Sequence, residues 1–378
     1  MKHSYFVHRS FFRNFAVTIK KINSMKRIFF LPLALVLLIA VGCNTQGRSA
    51  KDTLPKVDVT LNCLAFYNLE NLFDTIDNPG VNDFEFTPAG PNKWGTMKYV
   101  AKQQRMSHAI SQIGLDYSPV GAAIIGVCEI ENRGVLEDLV NQPSLKKRNY
   151  DIVHYDSPDR RGVDVGLLYN PALFVVTNSK SYRVKSDDTT FITRDQLMVS
   201  GYLHDEMIHV IVNHWPSRYG GELRSRPRRV EAATLTRSIV DSLFRVDPKA
   251  RVIVMGDLND DPTNVSVKDV LKTKKDKEDV KPGELYNVFW KTFERGNGSL
   301  AYNDQWNMFD QIIISHELVN KGPNKFYLWK SEIFNRAFLT QQEGPYKGTP
   351  LRTHAGGAWL NGYSDHYPTL IYLVKEKR

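Results

Sequence analysis

The sequence predicts a mixed α/β fold, and three observations predict it. Short apolar runs such as Ala122 to Val127 and Val252 to Met255 have the length and composition of buried strands. Two longer stretches, Thr96 to Ile113 and Ser225 to Phe244, repeat their apolar residues at helical spacing and fall between such runs. The runs stop again and again at Asn, Glu, Asp or His, so the edges of the sheet converge on one polar site.

The chain divides into a leader (1–43), a flexible tether (44–56) and one domain (57–378). Lys26-Arg27, the apolar run Ile28 to Val41 and Gly42-Cys43 form a basic segment, a hydrophobic segment and a small residue before cysteine. The leader resembles a bacterial lipoprotein signal, with Cys43 the lipidated residue and Met1 or Met25 the start. An uncleaved membrane anchor is the alternative, but about 14 apolar residues fall short of the ~20 that a spanning helix needs. Both readings put the body outside the cytoplasm, in the cell envelope. The seven basic residues of the leader, with no acid among them, account for most of the net charge, which falls from +9 to +2 without them. Bulk charge therefore gives no case for tight nucleic-acid binding. Cys63 and Cys128 sit in apolar runs and are expected as free buried thiols, a disulfide being the alternative in an oxidising compartment.

The domain opens with a strand from Val57 to Tyr67 that breaks at Asn68-Leu69-Glu70-Asn71. The Thr96 to Ile113 helix turns Val100, Met106, Ile110 and Ile113 inward. Ala122 to Val127 leads into Cys128-Glu129-Ile130-Glu131-Asn132, and a short helix (Val135 to Val140) and strands at Tyr150 to His154 and Arg161 to Tyr169 follow. The last of these carries Asp164, which either organises a loop with Arg161 or touches substrate. Gln196 to His204 and Met207 to Asn213 form a hairpin ending in Asn213-His214. Ser217 to Arg229 holds five arginines against one acid; Ser225 as N-cap and Pro227 in the first turn start the next helix. Val252 to Met255 then delivers Gly256-Asp257-Leu258-Asn259, and strand alternation places Asp257 and Asn259 on one face with Leu258 in the core. Asp260 and Asp261 read as a turn closing before Pro262, and Lys272 to Asp279 as a solvated loop. Asp310 opens the run Ile312 to Ile314, and Ser364-Asp365-His366 precedes the last strand, Thr369 to Val374.

Together Asn68, Glu129, Asp164, His214, Asp257, Asn259, Asp310, Asp365 and His366 form a set of oxygen donors and imidazoles suited to hydrolysis at phosphate. Carboxylates and amides suit a hard cation, Mg²⁺ or Mn²⁺. Gly256-Asp257-Leu258-Asn259 and Ser364-Asp365-His366, with Tyr67-Asn68-Leu69-Glu70-Asn71, Glu129 and Asn213-His214, resemble the motifs of the endonuclease/exonuclease/phosphatase superfamily from Leu61 to Val374. The resemblance implies a four-layer, two-sheet α/β sandwich of the deoxyribonuclease-I-like type. It also implies that Asn68, Glu129 and Asp365 hold one or two metal ions, and that Asp257 and Asn259 handle the attacking water. His214 and His366 would donate to phosphoryl or leaving-group oxygens, with Asp310 orienting one of the two histidines. Glu70 and Glu131 are expected to be structural neighbours of this set. His354 and Trp359 lie in a polar, Gly-rich loop that could line the cleft.

The arginine segment, with Arg218 nearest the site, would set cations beside a polyanionic backbone and favours a monomeric, nuclease-like phosphodiesterase acting on nucleic acid. An inositol-phosphate phosphatase or a sphingomyelinase-like lipid phosphodiesterase is the alternative. A non-catalytic, lipid-anchored binding module would be expected to lack one of Glu129, Asp257, Asn259 or His366, and all four are present.

Overall fold

The structure is a computed structural model that describes residues 58–302 and 304–377. The leader, the tether and Cys43 lie outside the described residues. In chain order the elements are β1 (Val59–Leu72), α1 (Thr96–Gln112), β2 (Ala122–Ile130), α2 (Arg133–Val140), β3 (Asp151–His154), β4 (Asp164–Tyr169), β5 (Phe174–Tyr182), β6 (Gln196–Leu203) and β7 (Glu206–His214). There follow α3 (Glu222–Val246), β8 (Arg251–Asp257), β9 (Thr273–Lys274), β10 (Leu285–Asn287), α4 (Trp290–Glu294), β11 (Leu300–Tyr302), β12 (Gln305–Asn307) and β13 (Asp310–Ser315). The chain ends with β14 (Tyr327–Ile333), β15 (His354–Ala355), β16 (Ala358–Trp359) and β17 (Thr369–Glu376).

One sheet has the order β14-β17-β1-β2-β4-β3, the other β5-β6-β7-β8-β13-β10-β9. Two-residue periodicity builds the layers. In β1, Leu64 and Phe66 face the other sheet, where they meet Val210, Val212, Ile253, Met255 and Ile312. Cys63, Ala65 and Tyr67 face the opposite way, onto Met106, Ala109 and Ile110 of α1 and Leu136 and Leu139 of α2. In β8, Ile253 and Met255 point to the centre, while Val252 and Val254 pack on Ala232, Ala233, Ile239 and Val240 of α3. The result is helix, sheet, sheet, helix: the four-layer sandwich that the family resemblance implied. Where the sheets approach most closely only glycine fits, since a Cβ on Gly126 would lie 2.6 Å from Met255 Sδ.

Each sheet has one parallel pair that matters for the site. β1 pairs with β2 across the α1 crossover, and β7 pairs with β8 across α3. Parallel strands bring their C-terminal ends to the same edge of the sheet. The polar strand ends of the sequence therefore gather there.

Several expectations are corrected. β1 does not break at Asn68: Glu70 and Asn71 adopt left-handed φ of 46° and 54°, and the chain bulges and rejoins β2 where Leu72 pairs Ile130. α3 begins three residues before Ser225, whose hydroxyl instead donates back to Gly221 O (2.7 Å). Val100 faces outward, its place on α1 being taken by buried Lys102 and Gln103, which find hydrogen-bond partners inside. The loop at Lys272 to Asp279 contributes the short edge strand β9, and the strand β5, mostly polar on its outer face, was not anticipated. Cys63 and Cys128 are free and buried, and burial raises both thiols well above their usual range.

Candidate active site

Strand register assembles the site. In the seven-stranded sheet His214 of β7 pairs with Asp257 of β8, which pairs in turn with Asp310 of β13, a row of three functional side chains across neighbouring strands. In the six-stranded sheet Asn68 pairs with Cys128, so that Asn68 and Glu129 lie side by side. Glu129 and Asn259 both take left-handed φ, 57° and 51°. Glu129 sits at a bulge within β2, between Cys128 and Ile130, and Asn259 lies two residues beyond the end of β8. For Asn259 this replaces the simple alternation expected from an extended chain: its backbone N–H donates to Asp257 Oδ1 (3.0 Å), while Leu258 enters the core as foreseen.

The two halves meet through short contacts. Asn68 Nδ2 donates to Asp257 Oδ2 (3.1 Å), and His214 Nε2 lies 3.7 Å from both Glu129 Oε1 and Asp257 Oδ2. His366 Nδ1 is 2.6 Å from Asp310 Oδ2, and its Nε2 is 4.0 Å from Asp257 Oδ2 and 3.8 Å from Asp365 Oδ1. Asp310 thus serves His366 and not His214, which resolves the pairing that the sequence left open. Ser364 explains its place in the Ser-Asp-His triplet: its hydroxyl donates to Asn68 O (2.7 Å) and accepts from His366 N (3.1 Å), tying the last loop to β1. Asn259 Nδ2 donates to Trp215 O (2.9 Å), fixing the amide at the rim of the same gap.

Electrostatics separate the two histidines. The carboxylates of Asp310, Asp365 and Asp257 raise His366 well above its ordinary value and override burial. His214 is pushed well below by burial, with Arg194, Arg161 and His366 adding to the effect, and its Nδ1 has no partner. Asp257 is pushed up to about 7, first by burial and then by Asp310 and Glu129, against the pull of His366.

The donor set fits a divalent cation. The buried Asp257 and Asp310 and the partly buried Glu129 bring three carboxylates into one gap beside His366, with Arg161 3.8 Å from Glu129, and an oxygen of Asp310, Oδ1, is left without a partner. Such a surplus of buried oxygen donors is the environment a hard cation neutralises. The ligand atoms of Asp257, Asp310 and His366 lie within 4.8 Å of one another, as do those of Cys128, His214 and Asp257. Asp365 stands nearer the surface, with Oδ2 held by Arg352 at 3.1 Å.

Residues 63–375 match the Endonuclease/Exonuclease/phosphatase family. The chain belongs to this family. Among solved structures, an endonuclease/exonuclease/phosphatase family protein from Bacteroides thetaiotaomicron superposes with a TM-score of 0.50 at 16% identity, covering 85% of this chain and 100% of that one. A mannosyl-6-phosphatase from the same organism gives a TM-score of 0.50 at 16% identity, over 82% and 99% of the two chains. At these identities the likeness is one of fold. No curated protein sequence matches the chain.

Membership places the chain among phosphoesterases, and the remaining predicted residues can be weighed in that light. Arg218 is not presented to a substrate: its guanidinium contacts Asp260 Oδ1 (3.2 Å), Asp261 Oδ2 (3.1 Å) and Asn264 Oδ1 (3.0 Å), its Nε donates to Asn259 O (2.9 Å), and the group covers the Phe309 ring. Asp260 and Asp261, read as a plain turn, are the anchors of this arginine. Asp164 also turns away from the site: its carboxylate takes His154 Nε2 (3.0 Å) and Ser157 N (2.9 Å), so it organises that loop, with Ser157 and His154 rather than Arg161. Arg161 instead reaches Asn71 Oδ1 and lies 3.8 Å from Glu129 Oε2. Glu70 and Glu131 hold loops, accepting from Thr353 N and Asp74 N (2.6 Å each). Sequence reasoning missed Arg161, Arg194, whose buried guanidinium donates to His214 O and Trp215 O, and Ser299, which holds Asp310. None has a local signal, because each acts on a partner from a distant strand end.

Proposed function

We propose that the protein is a divalent-cation-assisted phosphoester hydrolase. The observation that carries this is the register row His214, Asp257, Asp310 facing Asn68 and Glu129 across the sheets, closed by the His366–Asp310 contact of 2.6 Å. Glu129 and Asn68, with Asp365 at the rim, would hold Mg²⁺ or Mn²⁺, and the bound cation would neutralise charge on the phosphoryl oxygens. Asp257, desolvated and pushed up to about 7, is poised to accept a proton from water. Its two oxygens are fixed by Asn68 and the Asn259 backbone, which sets the direction from which that water is held. His366, kept charged by Asp310, donates to a phosphoryl or leaving-group oxygen, and neutral His214 offers a second donor between Glu129 and Asp257.

The expectation of a polyanionic nucleic acid substrate rested on free arginines after His214. Arg218 and Arg229 lie against Asp260, and Arg226 against Glu222, so this support is reduced to Arg224 and Arg228, the latter 3.8 Å from Asp188. We therefore favour a compact phosphate ester, with nucleic acid as the second reading. The test is a panel of p-nitrophenyl phosphate, sugar and inositol phosphates, sphingomyelin and DNA, with Mn²⁺ or EDTA. Turnover is expected with the metal only, and to be lost in Asp257→Asn and His366→Ala with the fold intact. A folded, active Asp257→Asn enzyme would sink the assignment, and inertness toward the whole panel would leave the binding module.

We also propose that Cys43 carries a lipid and holds a monomeric enzyme in the cell envelope, on the strength of the leader's pattern. Cys43→Ser should then move the protein from the membrane to the soluble fraction; unchanged retention would favour an uncleaved anchor.

A further inference from the structure

Beside the cleft lies a cavity of about 280 Å³ whose walls include Glu70, Asn71, Glu85, Asn92 and Arg352 and the Gly356-Gly357 turn. Two of its lining residues are bonded to groups of the site. Asn71 donates its backbone N–H to Glu129 Oε2 (3.0 Å), and Arg352 holds Asp365 Oδ2 at 3.1 Å. A phosphate seated among the catalytic groups thus has this cavity as the adjoining space for the remainder of its ester. We propose that it is the leaving-group site for an uncharged, polyhydroxylated moiety of monosaccharide size, which makes the substrate a sugar-phosphate monoester. The proposal rests on the phosphoester-hydrolase reading above and specifies its substrate class.

Size is the first argument. Small-molecule sites begin at roughly 300 Å³, so this cavity takes one compact ring and not a run of nucleotides. Charge is the second. Arg352, the one cation among the lining residues, is already paired with Asp365, and burial lowers His354 to about 4, leaving it neutral. Against these stands the exposed carboxylate of Glu85, so a second anionic group on the substrate would meet a charge of its own sign there. Ring stacking is the third consideration: Phe86 is stacked on Phe73 (centroids 4.3 Å apart, planes 3° apart) and meets Trp94 edge-on, so it offers a nucleobase no open face, and the other ring of the lining is the small imidazole of His354, tilted against Trp94 (centroids 5.8 Å apart).

What the walls do offer suits hydroxyl groups. The Glu85 carboxylate accepts, the Asn92 amide both donates and accepts, and the Asn71 amide, its Oδ1 already taken by Arg161, donates, the combination that vicinal hydroxyls satisfy. The glycine turn adds no bulk to the cavity: Gly356 and Gly357 have φ of 55° and 79°, the geometry of a tight two-residue hairpin between β15 and β16, and no atom lies within 4 Å of where either Cβ would be.

The experiment compares kcat/KM of the full-length protein with Mn²⁺ on glucose 6-phosphate, mannose 6-phosphate, thymidine 5′-monophosphate, p-nitrophenyl phosphate and a DNA oligonucleotide. A hexose phosphate is expected to exceed the nucleotide and p-nitrophenyl phosphate by at least about tenfold, the worth of one or two hydrogen bonds. In a Glu85→Gln, Asn92→Ala double variant, both positions lying away from the core, KM for the hexose phosphate should rise about tenfold. Its advantage over p-nitrophenyl phosphate should fall by the same factor. Turnover of p-nitrophenyl phosphate or DNA with no preference for a hexose phosphate, or an equal loss on all esters in the double variant, overturns the polyol site alone. Inertness toward every ester overturns the hydrolase reading with it.

Discussion

The Asp310–His366 pair shows how much chemistry depends on one contact. Asp310 is fully buried, accepts the Ser299 hydroxyl, and presents Oδ2 to His366 Nδ1 at 2.6 Å, which fixes both the rotation of the ring and which nitrogen faces the cleft. Asp310→Asn preserves the volume but removes the charge that keeps the imidazole protonated. The expected result is a fall in kcat of about 10²-fold with KM little changed, in the range of a positioned acid–base group. Initial rates across a substrate series measure it, and a drop in KM alone would contradict the role. His366 was legible because it stands beside Asp365 at the start of a strand. Asp310 was expected to orient one of the two histidines, but which one was not legible, since Asp310 and His366 are 56 positions apart and only the register of β13 against β8 brings Asp310 to the same edge.

At the scale of the element, α3 is fastened to the catalytic loop by its arginines. Arg229 is completely buried; its Nε sits 2.8 Å from Asp260 Oδ1, out of line with the N–H, and its terminal nitrogens reach Ser225 Oγ and Glu222 O. Asp260 directly follows Asn259, so the helix and the water-handling loop share one buried ion pair. Removing one member of such a pair costs about 3–5 kcal/mol, and because Asp260 retains Arg218 and Ser266 the lower end is expected for Arg229→Met. Urea unfolding should show the loss of about 3 kcal/mol, and turnover should fall with it as Asn259 loosens. A variant as stable as the parent would show that the pair contributes nothing net. The helix itself was legible from its apolar spacing, but the use of its arginines was not. A cluster of five cations reads as a surface for anions until the carboxylates that bind it, more than 30 positions later in the chain, are brought against it by the β8 turn.

Across the whole molecule the site exists only because two sheets are held face to face. Asn68 and Glu129 come from one, His214, Asp257 and Asp310 from the other, and the centre between them is apolar. The strands were legible as continuous hydrophobic runs that each ended in polar residues, while their arrangement in a two-sheet sandwich was expected only from the family resemblance of those polar motifs. The bulges were not, since left-handed φ at Glu70, Asn71, Glu129 and Asn259 is set by the needs of the site and carries little signature outside glycine. Burying Asp257 beside other carboxylates works against that packing, since burial first, and then Asp310 and Glu129, push it up to about 7. A cation that binds this gap in the folded chain alone must therefore stabilise the whole sandwich, by about 2.7 kcal/mol at a concentration 100 times its Kd. Thermal melts with increasing Mn²⁺ should show a rising midpoint that EDTA reverses. In Glu129→Gln, which keeps the side chain's shape and lowers its affinity for a cation, the rise should be largely lost even though activity plays no part in the measurement. An undiminished rise in that variant would place the cation elsewhere, among groups such as Asp257, Asp310 and His366 alone.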